Sequence, residues 1–288
     1  MSQTDEQAVS GTVTALSRYP VKSMAGEQLD ASDVTPRGLL GDRAYALVDT
    51  TDGKVATAKN PRKWPRLFEF AATYAEGPRL GKALPSVQIT LPDGQVISSA
   101  DPDVDGTLSQ ALNRGVRLQA AERGQPEIVE STFPNPWVAT SEEYWPDMEG
   151  LDFRDTVTDF ELPKGTFFDI AVIHVLTTAT LNRLTQLYPE GQMATRRFRP
   201  NILIDTGGAT GFVENDWVGR TLHVGEQVKL TITEPCPRCV MITLPQGDLP
   251  KDIGILRTAA KHNHTRLGVY AAVVQGGQVR RGDPVIIA

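Results

Sequence analysis

Alternating apolar and polar residues predict β-strands in the first half of the chain. The segments GTVTALSR (11–18) and DRAYALVD (42–49) both show the period of two that is typical of half-buried strands. In SVQITLPDGQVISS (86–99), an Asp-Gly pair separates two β-rich runs, which predicts a hairpin. Apolar residues at helical spacing in VDGTLSQALNRG (104–115) then predict one short helix that ends at a glycine.

The second half of the chain continues this mixture of strands and short helices. FFDIAVIHVL (167–176) is a mostly apolar run typical of a buried strand, and TTATLNRLTQLY (177–188) follows it with leucines at helical spacing. A second helix is predicted near DIGILRTAAKH (252–262). LGVYAAVV (267–274) and QVRRGDPVII (278–287) are interpreted as a final hairpin joined by a glycine turn. Three strand-like segments lie between the two helices: NILID (201–205), TLHVG (221–225) and QVKLTIT (227–233).

Strands therefore outnumber helices, and the pattern also shows where the chain divides. Residues 124 to about 160 are rich in Pro, Glu, Asp and Trp and lack sustained periodicity, which is typical of a connection. The predicted fold class is mainly β (α+β), with two β-barrel-like domains and a few short helices. We predict four parts: a polar tail (1–10), an N-terminal domain (11–125), a connection (126–160) and a C-terminal domain (161–288).

Composition and charge exclude several classes of protein. Hydrophobic residues make up 40% of the 288 residues and charged residues 22%, which is typical of a globular chain. The net charge of -6 is opposite in sign to the basic surface that binds nucleic acids. No apolar run reaches the roughly 20 residues of a membrane span, and the polar start of the chain has no targeting pattern. We expect a cytoplasmic protein that binds neither nucleic acid nor membrane.

The two cysteines, Cys236 and Cys239, lie in the short motif Pro-Cys-Pro-Arg-Cys. They are too close together in the sequence to form a disulfide that links distant parts of the chain. The residues alone leave three interpretations open: half of a zinc site completed by His262 and His264, a redox pair, or two buried structural thiols. Arg238 lies between them, and a neighbouring cation lowers the pKa of a cysteine, which favours a metal-binding or reactive thiolate.

Two basic segments indicate where an anion could bind. Lys22 and Ser23 follow a predicted strand, and the run Arg196–Asn201 comes just before another. Either these residues form a solvated surface or they form a pocket for a phosphate, to which arginine offers a planar fork and lysine a point charge. The apolar run 240–244 is typical of a strand, and His174 among apolar neighbours is interpreted as a core histidine.

Six segments of the chain, in this order, resemble the MOSC (molybdenum cofactor sulfurase C-terminal) proteins with an N-terminal MOSC β-barrel domain, including the mitochondrial amidoxime-reducing components. The resemblance covers nearly the whole chain and assigns the two predicted domains to these two types. The segments are YPVKSMAGE (19–27), GLLGDRAYALVD (38–49), VLTTATL (175–181), FRPNILID (198–205), PCPRC (235–239), and LGVYAAV (267–273) with GDPV (282–285).

The resemblance implies a pyranopterin molybdenum cofactor in which Cys239 is the protein ligand of the metal and the catalytic residue. Soft thiolate suits such a centre. Pro237 and Thr177 each stand where the amidoxime-reducing proteins have Ser, and the proline removes a backbone N–H and a hydroxyl. The resemblance places contacts to the cofactor on Lys22, Ser23, Arg43, Thr177, Arg199, Asn201 and Arg238.

The implied activity is that of an oxidoreductase. Reduced molybdenum, held by two dithiolene sulfurs and Cys239, removes oxygen from a small N-hydroxylated or N-oxide compound. The alternative is a molybdenum cofactor carrier or a sulfur-transfer module in which Cys236 or Cys239 carries a persulfide. A pyridoxal phosphate enzyme is disfavoured, because no Schiff-base lysine stands out. The chain ends four residues after Pro284 and has two cysteines, too few for an ordinary iron–sulfur cluster. We therefore expect a separate electron-donor protein, a ferredoxin or a flavoprotein.

Overall fold

The computed structural model describes residues 9–121, 139–148 and 155–288. These residues contain eighteen strands, four short α-helices and three 3-10 helices, so the prediction of a mainly β chain is confirmed. None of these helices is long and apolar enough to cross a membrane. The strands are β1 (Val9–Arg18), β2 (Glu27–Leu29), β3 (Ala31–Thr35), β4 (Gly38–Leu39), β5 (Tyr45–Asp49), β6 (Ala71–Tyr74), β7 (Val87–Thr90), β8 (Val96–Ser98), β9 (Val116–Ala120), β10 (Thr140–Trp145), β11 (Thr156–Glu161), β12 (Ile173–Thr177), β13 (Ile202–Asp205), β14 (Thr221–Val224), β15 (Val228–Pro237), β16 (Arg266–Gln275), β17 (Gly277–Arg280) and β18 (Pro284–Ile287). The helices are α1 (Val104–Leu112), α2 (Thr178–Leu187), α3 (Thr195–Phe198) and α4 (Gly254–Asn263), and the 3-10 helices are η1 (Leu67–Glu69), η2 (Val213–Trp217) and η3 (Val240–Thr243).

Seven strands close into a barrel in the order β1, β13, β12, β16, β15, β14 and β18, and β18 pairs again with β1. All neighbours are antiparallel except β12 and β13, whose parallel pairing follows from the crossover through α2. Buried apolar side chains fill the interior, among them Val13, Ile173, Ile204, Leu222 and Val269. Closure of the barrel therefore requires β1 from the beginning of the chain.

The strands of the N-terminal half form smaller sheets around a second core. β6, β7 and β8 form one sheet and β5 pairs with β9. The predicted hairpin is confirmed, because β7 and β8 pair with Gln88 opposite Ser98. The core contains Val21, Leu47 and Trp64. Val240 and Leu244, from the segment after Cys239, pack into this core as well.

The final hairpin and the strand at 240–244 are two predictions that the structure does not bear out. β16 and the strands after it do not pair with each other, because β17 pairs with β3 and β18 lies between β14 and β1. A Cβ on Gly276 would lie 2.6 Å from the carbonyl oxygen of Val34, so the glycines permit close approach to β3. The run 240–244 forms η3 instead of a strand, since periodicity cannot distinguish strand from helix in so short an apolar run.

Candidate functional site

A cavity of about 540 Å³ collects seven of the eight predicted site residues. They come from segments far apart in the sequence: the turn after β1, the turn before β5, the end of α3 and the end of β15. The cavity size is in the range that small molecules and cofactors fill. The seven residues are Lys22, Ser23, Arg43, Arg199, Asn201, Arg238 and Cys239.

Three of these residues have left-handed backbone conformations that L-amino acids rarely adopt. The φ angles are 64° at Ser23, 47° at Arg43 and 54° at Arg199. Surrounding contacts hold them there: Ser23 Oγ accepts the Ala58 N–H at 3.1 Å, and the Arg43 N–H donates to the Tyr19 carbonyl at 2.9 Å. Such strain persists only where neighbouring structure imposes it, and it concentrates at functional sites.

Two guanidinium groups lie against one aromatic ring at the cavity. The central carbons of Arg43 and Arg199 are 4.4 Å and 4.1 Å from the centroid of the Tyr19 ring, within cation–π distance. Asp42 accepts from Arg43 at 2.7 Å and from Asn201 Nδ2 at 2.9 Å, which fixes both side chains. Burial, and next the nearby charge of Arg43, lower the pKa of Arg199 to about 10.

Two lysines share a carboxylate that the sequence did not single out. The Lys22 ammonium group contacts the Asp169 carboxylate and donates to the Phe167 carbonyl at 2.9 Å. Lys59 Nζ lies 3.4 Å from Asp169 and 3.4 Å from Glu143. Burial lowers the pKa of Lys22 although Asp169 opposes it. Burial raises the pKa of Asp169, but the two lysines outweigh that effect and hold it well below its usual range.

Asp169 was missed because it falls in a segment predicted as a strand. β12 begins only at Ile173, and residues 167–171 form a loop that lines the cavity. An apolar run does not reveal where a strand starts. Lys59 and Glu143 carry no motif of their own, so only the folded chain shows that they line the same cavity as Cys239.

The structure separates the two cysteines, which are both free thiols. Cys239 is half-buried and lines the cavity, whereas Cys236 is fully buried with its Sγ 2.8 Å from Arg238 Nη1. Burial, and next Glu143, raise the pKa of Cys239 to about 12. For Cys236, burial also raises the pKa, but Arg238 and then His174 outweigh it and lower the pKa to about 6.

The structure does not support the interpretation of the cysteine pair as half of a zinc site. Among residues 9–121, 139–148 and 155–288, no group of three or more His, Cys, Asp and Glu side chains is arranged to hold a metal ion. His264 lines the cavity, but His262 does not. A centre whose remaining ligands came from a cofactor would need only one protein thiolate, and Cys239 is the cysteine that lines the cavity.

Arg238 has an unused donor at the cavity wall. Its Nη1 donates to Cys236 and its Nη2 donates to the Phe198 carbonyl at 2.9 Å. Its Nε is buried and has no hydrogen-bond partner within the described part of the chain. An unpaired buried N–H is unfavourable by about 1–3 kcal/mol, so this donor suits an acceptor supplied by a bound group.

Thr177 and His174 have structural partners. Thr177 is fully buried at the end of β12 and is absent from the cavity lining. Its Oγ1 accepts the Thr180 N–H at 3.1 Å, which caps α2, and donates to Glu214 at 2.7 Å. His174 is buried as expected, with Nε2 3.2 Å from the Leu267 carbonyl, although its ring also reaches the cavity wall.

The chain is similar in sequence and in structure to several known proteins. Mitochondrial amidoxime reducing component 2 is 27% identical in Macaca fascicularis and 26% identical in Homo sapiens, and each match covers 96% of this chain and 83% of the relative. Mitochondrial amidoxime-reducing component 1 of Mus musculus is 25% identical over 96% of this chain and 82% of its own. The crystal structure of the YuaD protein from Bacillus subtilis aligns with a TM-score of 0.47 and 11% identity, covering 98% of this chain and 97% of that chain.

Two family models match consecutive parts of the chain. The MOSC N-terminal beta barrel domain matches residues 10–124, and the MOSC domain matches residues 163–286. Together the two models cover most of the sequence, in the order that the six sequence segments indicated. The chain therefore belongs to the MOSC domain proteins that carry an N-terminal MOSC β-barrel domain.

Proposed function

We propose that this protein is a molybdenum-cofactor-dependent oxidoreductase that reduces N-hydroxylated or N-oxide compounds. The observation that carries the proposal is a single half-buried thiol, Cys239, in a cavity that also contains a cluster of cations. The similarity to amidoxime reducing components supports the same substrate class. The cations are Lys22, Arg43, Lys59, Arg199 and Arg238.

The residues of the cavity fit a pyranopterin with a terminal phosphate. Arg43 and Arg199 offer guanidinium forks, which bind phosphate in a bidentate manner, and Lys22 offers a point charge. The unpaired Nε of Arg238 offers one more donor. Ser23 and Asn201 add neutral polar groups in the same wall. These residues would hold the cofactor while the Cys239 thiolate would bind the metal.

The bound cofactor supplies the electron pair that, with two protons, converts an N–OH group into N–H and releases water. The cavity of the chain would hold the substrate and limit the entry of water. Apolar side chains from β10, the loop before β12, η3 and α4 line the cavity, where they would surround the apolar body of a substrate. These side chains are Trp145, Phe168, Met241 and Leu256.

A cofactor carrier or sulfur-transfer module is the second candidate, and the cysteine geometry restricts it. Cys236 has the thiolate character that sulfur transfer needs, because Arg238 lowers its pKa. It is, however, completely enclosed, so a partner protein could reach only Cys239. A persulfide carrier would therefore use Cys239 and would not reduce N-hydroxylated compounds.

The test compares two cysteine variants in protein produced by a host that makes the cofactor. Molybdenum content and turnover of an amidoxime with an artificial reductant are measured for wild type, Cys239→Ser and Cys236→Ser. We expect Cys239→Ser to lose turnover by about a hundredfold or more, because hard oxygen replaces a soft metal ligand. Cys236→Ser should keep much of the activity. Equal loss in both variants, or wild-type protein that binds molybdenum but reduces no N-hydroxylated compound, would contradict the proposal.

A further inference from the structure

Arg197 has a fully buried guanidinium group whose hydrogen bonds all go to backbone carbonyl oxygens. Burial lowers its pKa, although the charge of Asp252 opposes this. No salt bridge to Arg197 forms among the described residues. Burying a charged group costs several kcal/mol unless hydrogen bonds compensate for the lost water. Backbone carbonyls provide that compensation for Arg197, so its buried guanidinium group links the segments that carry them.

The acceptors of Arg197 belong to three different loops. Nε donates to the Gln192 carbonyl at 3.0 Å, before α3. Nη2 donates to the Pro250 carbonyl at 2.7 Å, before α4. Nη1 donates to the Leu244 carbonyl at 3.0 Å and lies 3.5 Å from that of Ile242. The last two carbonyls are at the end of η3, where a helix cannot satisfy its own acceptors.

Helix α3, which carries Arg197, also contacts the residue that precedes Cys239. Arg197 binds the end of the helical turn that starts immediately after Cys239. Phe198, the next residue of α3, accepts a hydrogen bond from Arg238, the residue immediately before Cys239. Contacts from α3 thus reach the Arg238 side chain before Cys239 and the backbone of the turn after it.

We propose that Arg197 is a positioning residue that holds the Cys239 thiol in the orientation required of a metal ligand. This inference rests on the proposed role of Cys239. The neighbouring Arg196 has no such part, because its side chain is exposed and pairs with the exposed carboxylate of Asp248. The two adjacent arginines therefore form a matched pair for a test.

The first experiment uses the full chain without cofactor, so that it does not depend on molybdenum. Arg197→Lys keeps a charge, but one ammonium group cannot reach carbonyls in three loops; Arg197→Met keeps an apolar body of similar length. In each folded variant, the rate of Cys239 alkylation by iodoacetamide is followed by mass spectrometry, with buried Cys236 as internal reference. We expect the rate to rise about tenfold, since the turn after Cys239 opens locally. Arg196→Gln should stay within about twofold of wild type.

The second experiment uses cofactor-loaded protein and measures molybdenum content and the metal–sulfur distances by X-ray absorption. Arg197→Lys should lose molybdenum on gel filtration and show a longer or more variable metal–thiolate distance, whereas Arg196→Gln should match wild type. The inference is wrong if folded Arg197→Lys keeps the wild-type alkylation rate and spectrum, if Arg196→Gln changes as much, or if neither Arg197 variant folds. Wild-type protein without molybdenum would refute the proposed function but leave the alkylation comparison valid.

Discussion

At the scale of single residues, each cation of the cavity is already held by a partner on the protein. Arg43 pairs with Asp42, Lys22 with Asp169, and Arg199 Nη1 donates to the Met24 carbonyl at 2.7 Å. These contacts orient the side chains before any ligand arrives. Preorganised donors lose little conformational entropy on binding, which strengthens the binding of an anion.

The contribution of the guanidinium fork is best tested by Arg43→Lys. Alanine would also leave the buried carboxylate of Asp42 without its cation, whereas lysine keeps the charge and loses only the bidentate geometry. We expect Arg43→Lys to retain about tenfold less molybdenum after gel filtration while the free energy of unfolding changes by less than about 1 kcal/mol. Arg199→Lys should behave similarly, and Arg183→Lys on α2, a residue outside the cavity lining, serves as control. Full molybdenum occupancy in both cavity variants would instead favour a solvated cationic surface.

Sequence could identify these cations but not their partners. Lys22, Arg43 and Arg199 lie in short motifs that can be recognised locally. The partner of Lys22 is Asp169, which is 147 residues away in the chain and lies within an apolar run. Such a contact arises only when β1 and the loop before β12 meet in the fold. For Thr177 the motif alone was misleading about the side chain's partners. Its position in the motif predicted a contact to the cofactor, whereas in the folded chain its hydroxyl caps α2.

At the scale of elements, the start of α2 is joined to η2 through a buried carboxylate. Glu214 on η2 accepts hydroxyl hydrogen bonds from Thr177 at 2.7 Å and Thr180 at 2.8 Å, both on one oxygen. Its other oxygen is buried without a partner within the described ranges. Burial raises the pKa of Glu214 although the two hydroxyls oppose this. The folded state therefore favours the protonated carboxyl group.

This arrangement predicts how stability depends on pH. The unfolded chain releases the Glu214 proton near the ordinary pKa of about 4.3, while the folded chain keeps it to a higher pH. The Glu214 contribution is therefore complete below the unfolded pKa and is lost as pH rises toward the folded pKa. Glu214→Gln stays neutral, so its free energy of unfolding should rise relative to that of wild type as pH increases from 4.5 to 7.

Urea unfolding of Glu214→Gln and wild type across this pH range checks the prediction. Asp216→Asn is the control, because Asp216 is an exposed carboxylate on the same helical turn. It should show no comparable drift with pH. A difference between Glu214→Gln and wild type that is constant from pH 4.5 to 7 would show that Glu214 titrates as an ordinary carboxyl group.

The elements themselves were predictable where their signals are local. The Asp-Gly turn between β7 and β8 determines both the reversal and the pairing, because the two strands are adjacent in sequence. The glycines after β16 do not form the turn of a hairpin, because β17 does not pair with β16. The partner of β17 is then β3, more than two hundred residues earlier, and no turn chemistry encodes that choice.

At the scale of the whole molecule, β1 joins the two halves of the chain. It pairs with β13 and β18 and so closes a barrel whose other strands all come from the C-terminal half. Val13 and Leu16 on β1 are buried in the barrel core. Without β1, two strand edges would be unpaired and part of the core would be exposed to water.

A fragment of residues 161–288 should therefore not fold alone. We expect no cooperative urea transition for it, in contrast to the full chain. The matched control fuses residues 9–29 after Ala288 through a short glycine linker. Val9 lies opposite Ile287 in the antiparallel pair, so such a linker can span the gap. This permuted fragment should regain a cooperative transition, and a fragment of 161–288 that unfolds cooperatively by itself would show that β1 is dispensable.

The proposed reduction needs a source of electrons. A [2Fe–2S] cluster needs four cysteines, or two cysteines and two histidines. The chain has two cysteines, of which Cys239 is the proposed molybdenum ligand and Cys236 is enclosed beside Arg238. The sequence also has no glycine fingerprint for a nicotinamide dinucleotide. The electrons for the proposed reaction should therefore come from another protein.

Cofactor-loaded protein mixed with an amidoxime and NADH should show no turnover. The residues of this sequence provide neither a group that accepts hydride from NADH nor a cluster that passes electrons to the metal. An artificial one-electron reductant, or NADPH with a ferredoxin and its reductase, should start the reaction in the same mixture. Cys239→Ser in the reconstituted mixture is the control, because its loss of turnover would show that the reaction depends on the thiol in the cavity. Steady oxidation of NADH by the purified chain alone, coupled to loss of the amidoxime, would refute the requirement for a separate donor.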